Sequence, residues 1–341
     1  MLNRRLQVYE GCLLKAGYQI KKDIFLKLLK ISCLIFFLNM LMPVKLLFAQ
    51  SRIPQYYIQE QAFTDSLQAI IRDVGLDGQY DAGEDGSETI SFAVIDLAGE
   101  EPVFGGVNAR NFIYPASVYK MYVAMEVLKQ VSNGEYLLYK PYVIKEPNIV
   151  DTEKEISYDP RPLLADGDTV SVYYLLDLMI TRSDNSASNA MIDIAGRPQI
   201  NATMHRYGWE GSEVTRKFLS REYEDPGYED IRGTETSALH AADFMYKIHK
   251  NELVNPWVSM RMKNLLGAQL DTSKLAAGLP DSAMFYHKTG WWDIYTNDVG
   301  IVDDGDIQYI IALFTPVQEE EVSSAMKEVS NRVYKLIKSR H

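Results

Sequence analysis

The sequence predicts a mixed α/β (α+β) protein in which an antiparallel sheet of about five strands is flanked by helices and carries an inserted all-helical lobe. Strand patterns occur in two groups, one early and one late, at 89–97, 103–107, 284–290, 298–302 and 308–315. Because the two groups lie at opposite ends of the body and helical patterns fill the middle, we expect both ends to share one sheet. The predicted sheet lobe spans about 55–115 and 250–341, the helical lobe spans about 116–249, and a ligand site is expected in the cleft between them.

The first elements follow from hydrophobic periodicity. Apolar residues recur at helical spacing within 58–75, which predicts an amphipathic helix. The run 89–97 (TISFAVIDL) is apolar and β-branched, as in a buried strand, and 103–107 is its predicted hairpin partner. Pro102 stands at the start of that partner, where proline is tolerated.

The remaining elements begin at Ser117. Apolar residues from Val118 to Leu128 share one helical face, and Pro115 precedes them, as is common at helix starts. The segment 303–306 (DDGD) is a turn signal between the last two strands. Helical periodicity from Val322 to Ile337 predicts a closing helix.

Residues 1–49 are predicted to be a signal peptide or N-terminal anchor ahead of a domain at 50–341. The apolar run Ile31–Val44 follows Lys27 and Lys30, and it is short for a transmembrane helix. If it is not cleaved, residues 24–49 would be the only membrane contact. Either way we expect the body to be exported, periplasmic or extracellular, and monomeric.

Composition excludes several function classes. The chain has 341 residues and a net charge of −11, and its first 50 residues are basic, so the body is still more acidic. Such a body repels nucleic-acid phosphates. Both cysteines, Cys12 and Cys33, lie in the leader, so no disulfide or thiol chemistry is expected in the body. The five histidines lack metal-ligand spacing, and we expect no metal and no cofactor.

A Ser-x-x-Lys tetrad at Ser117–Lys120 is the first candidate for chemistry. A serine hydroxyl needs a base to become a nucleophile, and a lysine three residues later on a helix lies on the same face. The helix N-terminus also favours developing negative charge. The tetrad alone is weak evidence, because a second copy at Ser324–Lys327 is expected to be only a solvated face of the closing helix.

Two tripeptides strengthen the hypothesis. Ser183-Asp184-Asn185 opens a helical stretch, and Lys288-Thr289-Gly290 is predicted to end an apolar strand. Ser183 can relay a proton to a leaving amine, Asn185 can hold a substrate amide, and Lys288 with Thr289 can bind a carboxylate. Gly290 permits close backbone approach at the strand edge.

These three elements, in this order, resemble the penicillin-recognising serine enzymes, and class A β-lactamases in particular, from about Ile90 to the C-terminus. The segments SFAVIDL, SDNSASNAMIDIAG and HKTG carry the resemblance. The resemblance implies the β-lactamase-like fold, with Ser117 as the acylated nucleophile, Lys120 as the base and Ser183 as the proton shuttle. It also implies that Asn185 binds the substrate amide and that Lys288 and Thr289 bind the substrate carboxylate. The backbone N–H groups of Ser117 and Trp291 would form the oxyanion hole, and Asn189 would steady the deacylating glutamate.

The deacylating glutamate itself lacks its usual motif. Class A enzymes carry roughly Glu-Pro-x-Leu-Asn on a loop, whereas the corresponding region here is VTRKFLSREYEDPGYED. Glu222 is the nearest candidate and Glu224 the second, but the charged run is equally typical of a solvated loop. Trp291 and Trp292 also place bulk where the family has smaller residues, so they narrow the cleft or line it for another ligand.

The leading hypothesis is therefore a serine hydrolase that opens the β-lactam ring through an acyl-enzyme on Ser117 and then hydrolyses it, in β-lactam antibiotic catabolism. The missing motif keeps two alternatives open: a penicillin-binding D,D-peptidase-like hydrolase acting on cell-wall peptides, and a slowly deacylating β-lactam sensor. A cytoplasmic glutaminase, which shares the Ser-x-x-Lys geometry, is disfavoured by the leader.

Overall fold

The computed structural model describes residues 52–82, 86–152 and 159–341, and Ile53–His341 form one compact unit. The predicted leader and both cysteines lie outside the described residues. Within those ranges, no helix combines the length and the apolar character needed to cross a membrane.

A six-stranded sheet forms the centre of the unit. The strands of the described residues are β1 (Ile58–Gln59), β2 (Tyr80–Asp81), β3 (Ser87–Glu88), β4 (Ser91–Asp96), β5 (Val103–Val107), β6 (Phe112–Ile113), β7 (Pro141–Val143), β8 (Thr169–Ser171), β9 (Thr236–Ser237), β10 (Met284–Trp292), β11 (Tyr295–Asp303) and β12 (Gln308–Thr315). Across the six-stranded sheet the order is β1-β5-β4-β12-β11-β10. Strands β5, β4, β12, β11 and β10 pair antiparallel, as predicted, and the two-residue β1 adds a parallel edge.

Helices cover both faces of this sheet. Those of the described residues are α1 (Gln61–Asp73), α2 (Lys120–Ser132), α3 (Val172–Thr181), α4 (Asn185–Ala195), α5 (Arg197–Arg206), α6 (Ala238–His249), α7 (Pro256–Leu266) and α8 (Glu319–Arg340). Side chains alternate across a strand, so Phe92 and Val94 of β4 pack with α1 and α8, whereas Ala93 and Ile95 join the core on the opposite face. That second core includes α6, which packs directly on β4, β11 and β12.

The helical lobe is built around α2, which contacts α3, α4, α5 and α7. Most residues of α2 are buried, as expected for a helix surrounded by others. The neighbouring helices begin at side chains that accept the free N–H groups of their first turns: Ser171 caps α3, Asp184 caps α4, Ser237 caps α6 and Asn255 caps α7.

Three local predictions differ from the structure. The first helix is shorter than 58–75, because β1 occupies Ile58–Gln59. Ser117 lies in a 3-10 turn, Ala116–Tyr119, and the α-helix begins only at Lys120. The Lys288-Thr289-Gly290 tripeptide lies inside β10 rather than at its end, because the strand continues through Trp292 to a tight connection with β11. The second tetrad lies on α8 with Ser324 and Lys327 exposed, as expected.

Candidate active site

Ser117 lies at the junction between the sheet and the helical lobe. The 3-10 turn that carries it packs against β10 and leads directly into α2. The preceding residue, Ala116, has φ 47°, a left-handed conformation that non-glycine residues adopt only when their surroundings hold them there. Ser117 is half-buried and lines a cavity of about 830 Å³. The backbone thus fixes the nucleophile at the cavity wall.

Lys120 is fully buried behind that wall. Its Nζ donates to the backbone carbonyl of Ser183 at 2.7 Å, to Ser183 Oγ at 3.1 Å and to Asn185 Oδ1 at 2.7 Å. It also lies 4.4 Å from the centre of the Phe218 ring. The Lys120 ammonium is therefore held by the Ser183-Asp184-Asn185 segment.

Ser183 is shared by two lysines. Lys288 Nζ donates to Ser183 Oγ at 3.1 Å, the same distance as Lys120 Nζ, and also to the Thr289 carbonyl at 2.7 Å. Ser183 has φ 61°, so its backbone is strained like that of Ala116. A hydroxyl in contact with two ammonium groups is well placed to pass a proton from one side of the cavity to the other.

The aspartate of the Ser-Asp-Asn tripeptide positions its neighbours. Asp184 Oδ1 caps α4 by accepting from the Ala187 N–H at 2.7 Å, and Asp184 Oδ2 pairs with the buried Arg182 at 2.8 Å. Asn185 therefore becomes the first residue of α4. Its Nδ2 donates to Asp151 Oδ1 at 2.8 Å. Because an amide nitrogen carries two hydrogens, one remains for a substrate carbonyl.

Strand β10 forms the opposite side of the cavity and is an edge strand of the described sheet. A Cβ on Gly290 would lie 2.7 Å from the Pro115 carbonyl oxygen and 2.8 Å from the Ser117 nitrogen, so only glycine fits. Beyond it, Trp291 and Trp292 are 58% and 53% exposed and line the cavity mouth. The tryptophans thus give the cavity an exposed aromatic rim.

The third side is the site loop, residues 213–235, whose base is closed by a bridge between Glu213 and Glu235. Asn189 of α4 holds this loop at Phe218: the Phe218 N–H donates to Asn189 Oδ1 at 2.9 Å, and Asn189 Nδ2 donates to the Phe218 carbonyl at 3.3 Å. The Phe218 ring stacks on Tyr119 with the ring centres 4.7 Å apart. The position that Asn189 steadies is therefore an apolar ring and not a carboxylate.

Of the two glutamates considered, only Glu222 lines the cavity. It is half-buried and contacts the Tyr223 hydroxyl. Glu224 instead pairs with Lys217 at 2.7 Å and Arg221 at 2.6 Å. Burial raises the pKa of Glu224, but the hydrogen bonds from these two cations outweigh burial and keep the pKa below its usual value. Glu224 is thus committed to ion pairs, and Glu222 remains as the candidate base.

Other charged residues of the site loop form ion pairs with the helical lobe instead of being surrounded by solvent. Asp225 forms a two-pronged pair with Arg197, with Oδ1 2.6 Å from Nη2. Asp193 of α4 accepts from Lys217 at 2.7 Å and Arg221 at 2.8 Å. These pairs give the site loop a defined path along the cavity.

The structure thus gathers most of the predicted site residues around one cavity. Its lining includes Ser117, Ser183, Asn185, Glu222, Thr289, Gly290 and Trp291. Lys120 and Lys288 are buried behind the cavity wall, and both donate hydrogen bonds to Ser183 Oγ. Asn189 holds the site loop through the backbone of Phe218. Within the described ranges, no group of three or more His, Cys, Asp or Glu side chains is arranged to hold a metal ion.

Two further residues belong to the site and were not predicted. Asp151 accepts from both the backbone and side-chain amides of Asn185, at 2.6 and 2.8 Å. Phe218 is the residue of the site loop whose backbone forms two hydrogen bonds with Asn189. Neither stands in a recognisable motif; the only available signal for Phe218 was its position shortly after the family-like VTR segment.

Comparisons with known proteins agree with this geometry. The model of the β-lactamase enzyme family matches residues 66–337. The extended-spectrum β-lactamase PER-1 of Pseudomonas aeruginosa is 25% identical over 224 residues, which cover 63% of this chain and 70% of that protein.

Solved structures share the fold. PBP-A superimposes with a TM-score of 0.68 at 22% identity, covering 84% of this chain and 100% of that one. A β-lactamase from Sphaerobacter thermophilus gives 0.66 at 18% identity, covering 80% and 97%. The family model spans most of the chain, including the nucleophile turn, α4, the site loop and β10. On this evidence the chain belongs to the β-lactamase enzyme family and is a serine hydrolase.

Proposed function

We propose that this protein opens β-lactam rings by forming an acyl-enzyme on Ser117 and then hydrolyses the resulting ester. One observation carries the proposal: a single cavity brings Ser117 together with Ser183, whose hydroxyl contacts both Lys120 and Lys288. The likeness to PER-1, which is named a β-lactamase, supports the substrate class.

In the acylation step, Lys120 acts in its neutral amine form: Ser117 Oγ attacks the lactam carbonyl and its proton passes to the Lys120 amine. The backbone N–H groups of Ser117 and Trp291 stabilise the oxyanion. The ring C–N bond then breaks, and the nitrogen takes a proton from Ser183, which Lys120 replenishes. The substrate carboxylate lies at Lys288 and Thr289. The step leaves an ester on Ser117 and an opened ring.

In the hydrolysis step, a water attacks this ester and a base takes its proton. Because Phe218 occupies the place that Asn189 supports, the base in our proposal is Glu222, farther along the same loop. The ester C–O bond then breaks, Ser117 Oγ takes up a proton and the Glu222 carboxylate is regenerated, so the products are a free Ser117 hydroxyl and the ring-opened acid.

Nitrocefin turnover by purified body domain tests the proposal. We expect steady-state hydrolysis that is abolished in Ser117→Ala and retained in Ser324→Ala, the matched change in the second tetrad. Glu222→Gln is expected to leave a burst followed by slow turnover, whereas Glu229→Gln, an exposed glutamate of the same loop, is expected to leave turnover intact. A single stoichiometric burst in the unsubstituted protein would reject the hydrolytic step.

The Phe218 geometry favours a second candidate, a penicillin-binding peptidase. An apolar ring stacked on Tyr119 and lying against the Lys120 ammonium supplies no base for water. If no other group supplies that base, β-lactams acylate Ser117 and remain bound to it. This candidate predicts release of D-alanine from peptidoglycan mimics, abolished in Ser117→Ala. Persistent labelling by fluorescent penicillin without D-alanine release would instead indicate a sensor.

Export and monomeric state are part of the same proposal, as is a role in antibiotic catabolism. A β-lactam or a cell-wall peptide is met outside the cytoplasm, and the basic, apolar segment ahead of the body is typical of a secretory leader. Fractionation of cells that express the full chain, with N-terminal sequencing of the product, tests both cleavage and location. Sedimentation of the purified protein tests the monomer.

A further inference from the structure

A second cavity adjoins the catalytic one. This side cavity has a volume of about 740 Å³ and shares five lining residues with the catalytic cavity: Tyr114, Tyr119, Lys217, Glu222 and Trp292. Because the two cavities have common walls, a substrate bound at Ser117 can extend into the second. The acylation chemistry described above makes no use of this space.

Strand β10 leads from one cavity to the other. Gly290 and Trp291 line the catalytic cavity, Trp292 lines both, and Asp293 lines the side cavity. At about 3.3 Å per residue, Trp292 lies about 7 Å beyond Gly290. In the proposed function the substrate carboxylate is at Lys288, on the other side of Gly290. The acyl half of the substrate therefore runs towards the side cavity.

Carboxylates outnumber cations in the lining of the side cavity. The four acidic residues are Glu88, Glu222, Glu235 and Asp293, and the two basic ones are Arg216 and Lys217. Among the residues that the structure describes, neither Glu222 nor Asp293 forms an ion pair.

Neither cation is paired with Glu222 or Asp293. Lys217 pairs with Asp193 and Glu224, which are not part of the lining. The Arg216 guanidinium lies 4.4 Å from the centre of the Tyr228 ring and donates to the Ile231 carbonyl at 2.6 Å. Glu235 pairs with Arg232, which is not part of the lining. Glu222 and Asp293 still leave the side cavity with an excess of negative charge over Arg216.

Aromatic rings complete the walls. Tyr114 and Tyr295 meet edge to face with centres 5.5 Å apart, and Trp292 is about half exposed beside them. Burial, followed by the charge of Glu222, raises the pKa of Tyr114 to about 12, so its hydroxyl stays neutral at physiological pH. Aromatic faces beside carboxylates are the surroundings that a desolvated ammonium group prefers in proteins.

We propose that the side cavity binds a primary ammonium group on the acyl half of the substrate, with Asp293 as its counter-ion and Trp292 as an aromatic wall. The inference rests on the proposed function, because acylation of Ser117 sets which end of the substrate enters. It makes this cavity a determinant of specificity: acyl groups that carry an amine acylate Ser117 faster than neutral or purely acidic ones.

The test compares cephalosporin C, whose aminoadipoyl side chain ends in an ammonium and a carboxylate, with its adipoyl counterpart, which differs only in lacking the amine. The second-order rate of Ser117 acylation is measured by mass spectrometry. We expect the amine to accelerate acylation about fivefold, as for one part-exposed ion pair, and the advantage to shrink with added salt.

Asp293→Asn is the informative variant. Asp293 has φ 51°, a conformation that asparagine adopts readily, so the substitution removes the charge and keeps the turn. We expect the rate ratio between the two cephalosporins to fall towards one. Asp281→Asn, an exposed aspartate before β10 that lines neither cavity, is the matched control and should leave the ratio unchanged.

The outcomes separate the two proposals. If neither cephalosporin acylates Ser117, the proposed function fails. If both acylate the unsubstituted protein at equal rates, the function stands and the side-cavity inference is overturned. If the amine advantage persists undiminished in Asp293→Asn, the ammonium binds elsewhere and the assignment to this cavity is wrong.

Discussion

Replacing Gly290 by alanine tests whether the contact between β10 and the nucleophile turn positions the acylation machinery. The added Cβ would lie 2.7 Å from the Pro115 carbonyl oxygen, 2.8 Å from the Ser117 nitrogen and 2.9 Å from the Val118 nitrogen. All three neighbours are backbone atoms, so no side chain can rotate away. Ordinary Cβ contacts begin near 3.4 Å, and the strand and the turn must therefore separate by about 0.7 Å.

That separation widens the space between the two N–H groups assigned to the oxyanion hole, those of Ser117 and Trp291. Loss of one such donor costs about 100-fold to 1,000-fold in rate, and a misplacement of about 1 Å costs about 100-fold. We expect Gly290→Ala to slow acylation about 100-fold. Because the contact is tight packing, we also expect a loss of about 1–3 kcal/mol in the free energy of unfolding.

The assay is a time course of Ser117 acylation by a penicillin, followed by mass spectrometry, with circular dichroism to show that the variant is folded. Gly99→Ala is the matched control, because a Cβ there would come no closer than 3.8 Å to any neighbour. A folded Gly290→Ala variant that acylates as fast as the unsubstituted protein would refute the argument, since the clash would then have been absorbed without moving either donor.

Three further predictions concern other parts of the site and its support. Ser183→Ala should slow acylation about 100-fold or more by removing the hydroxyl between the two lysines, and stopped-flow measurement showing an unchanged rate would remove Ser183 from the proton path. Asn189→Ala should cost about 2 kcal/mol in urea unfolding, because it deletes both hydrogen bonds to the Phe218 backbone; a neutral result would mean that the site loop holds itself. Burial lowers the pKa of His240 to about 4. Between that pH and about 6.5, the unfolded chain therefore binds a proton that the folded chain does not. The free energy of unfolding should consequently fall by about 2 kcal/mol between about pH 7.5 and about pH 5. Urea unfolding of His240→Gln should show that much less dependence on pH, and an equal dependence in both proteins would contradict the assignment.

Local patterns were sufficient to predict the frame of the site. Strands β4, β5, β10, β11 and β12 follow from apolar runs bounded by turn residues, and Asp184 is a helix cap that the sequence places directly before α4. The three motifs then fall together because the sheet and α2 bring their carriers to one junction. The backbone at Ala116 and Ser183 could not be predicted in this way, because a positive φ at a non-glycine residue is imposed by packing and not by the residue itself.

The site loop shows where sequence reasoning stops. Its charged residues are typical of a solvent-exposed loop. In the structure, however, Lys217 and Arg221 both form ion pairs with Asp193 on α4, and Asp225 forms an ion pair with Arg197. These partners are far apart in the sequence, so no local pattern reveals them. The same holds for Phe218, whose importance follows only from the Asn189 side chain that meets its backbone.

The two chemical steps therefore depend on different kinds of structure. Acylation depends on Ser117, Ser183 and Gly290, which belong to a strained turn, a capped helix start and a paired strand, all packed into the core. Hydrolysis depends on Glu222, which belongs to a loop held mainly by ion pairs that are partly exposed and therefore weak. Weakening those pairs, as in Asp225→Asn or in concentrated salt, should lengthen the life of the acyl-enzyme while its rate of formation stays the same. If both rates changed together, the site loop would have to be counted as part of the acylation machinery as well.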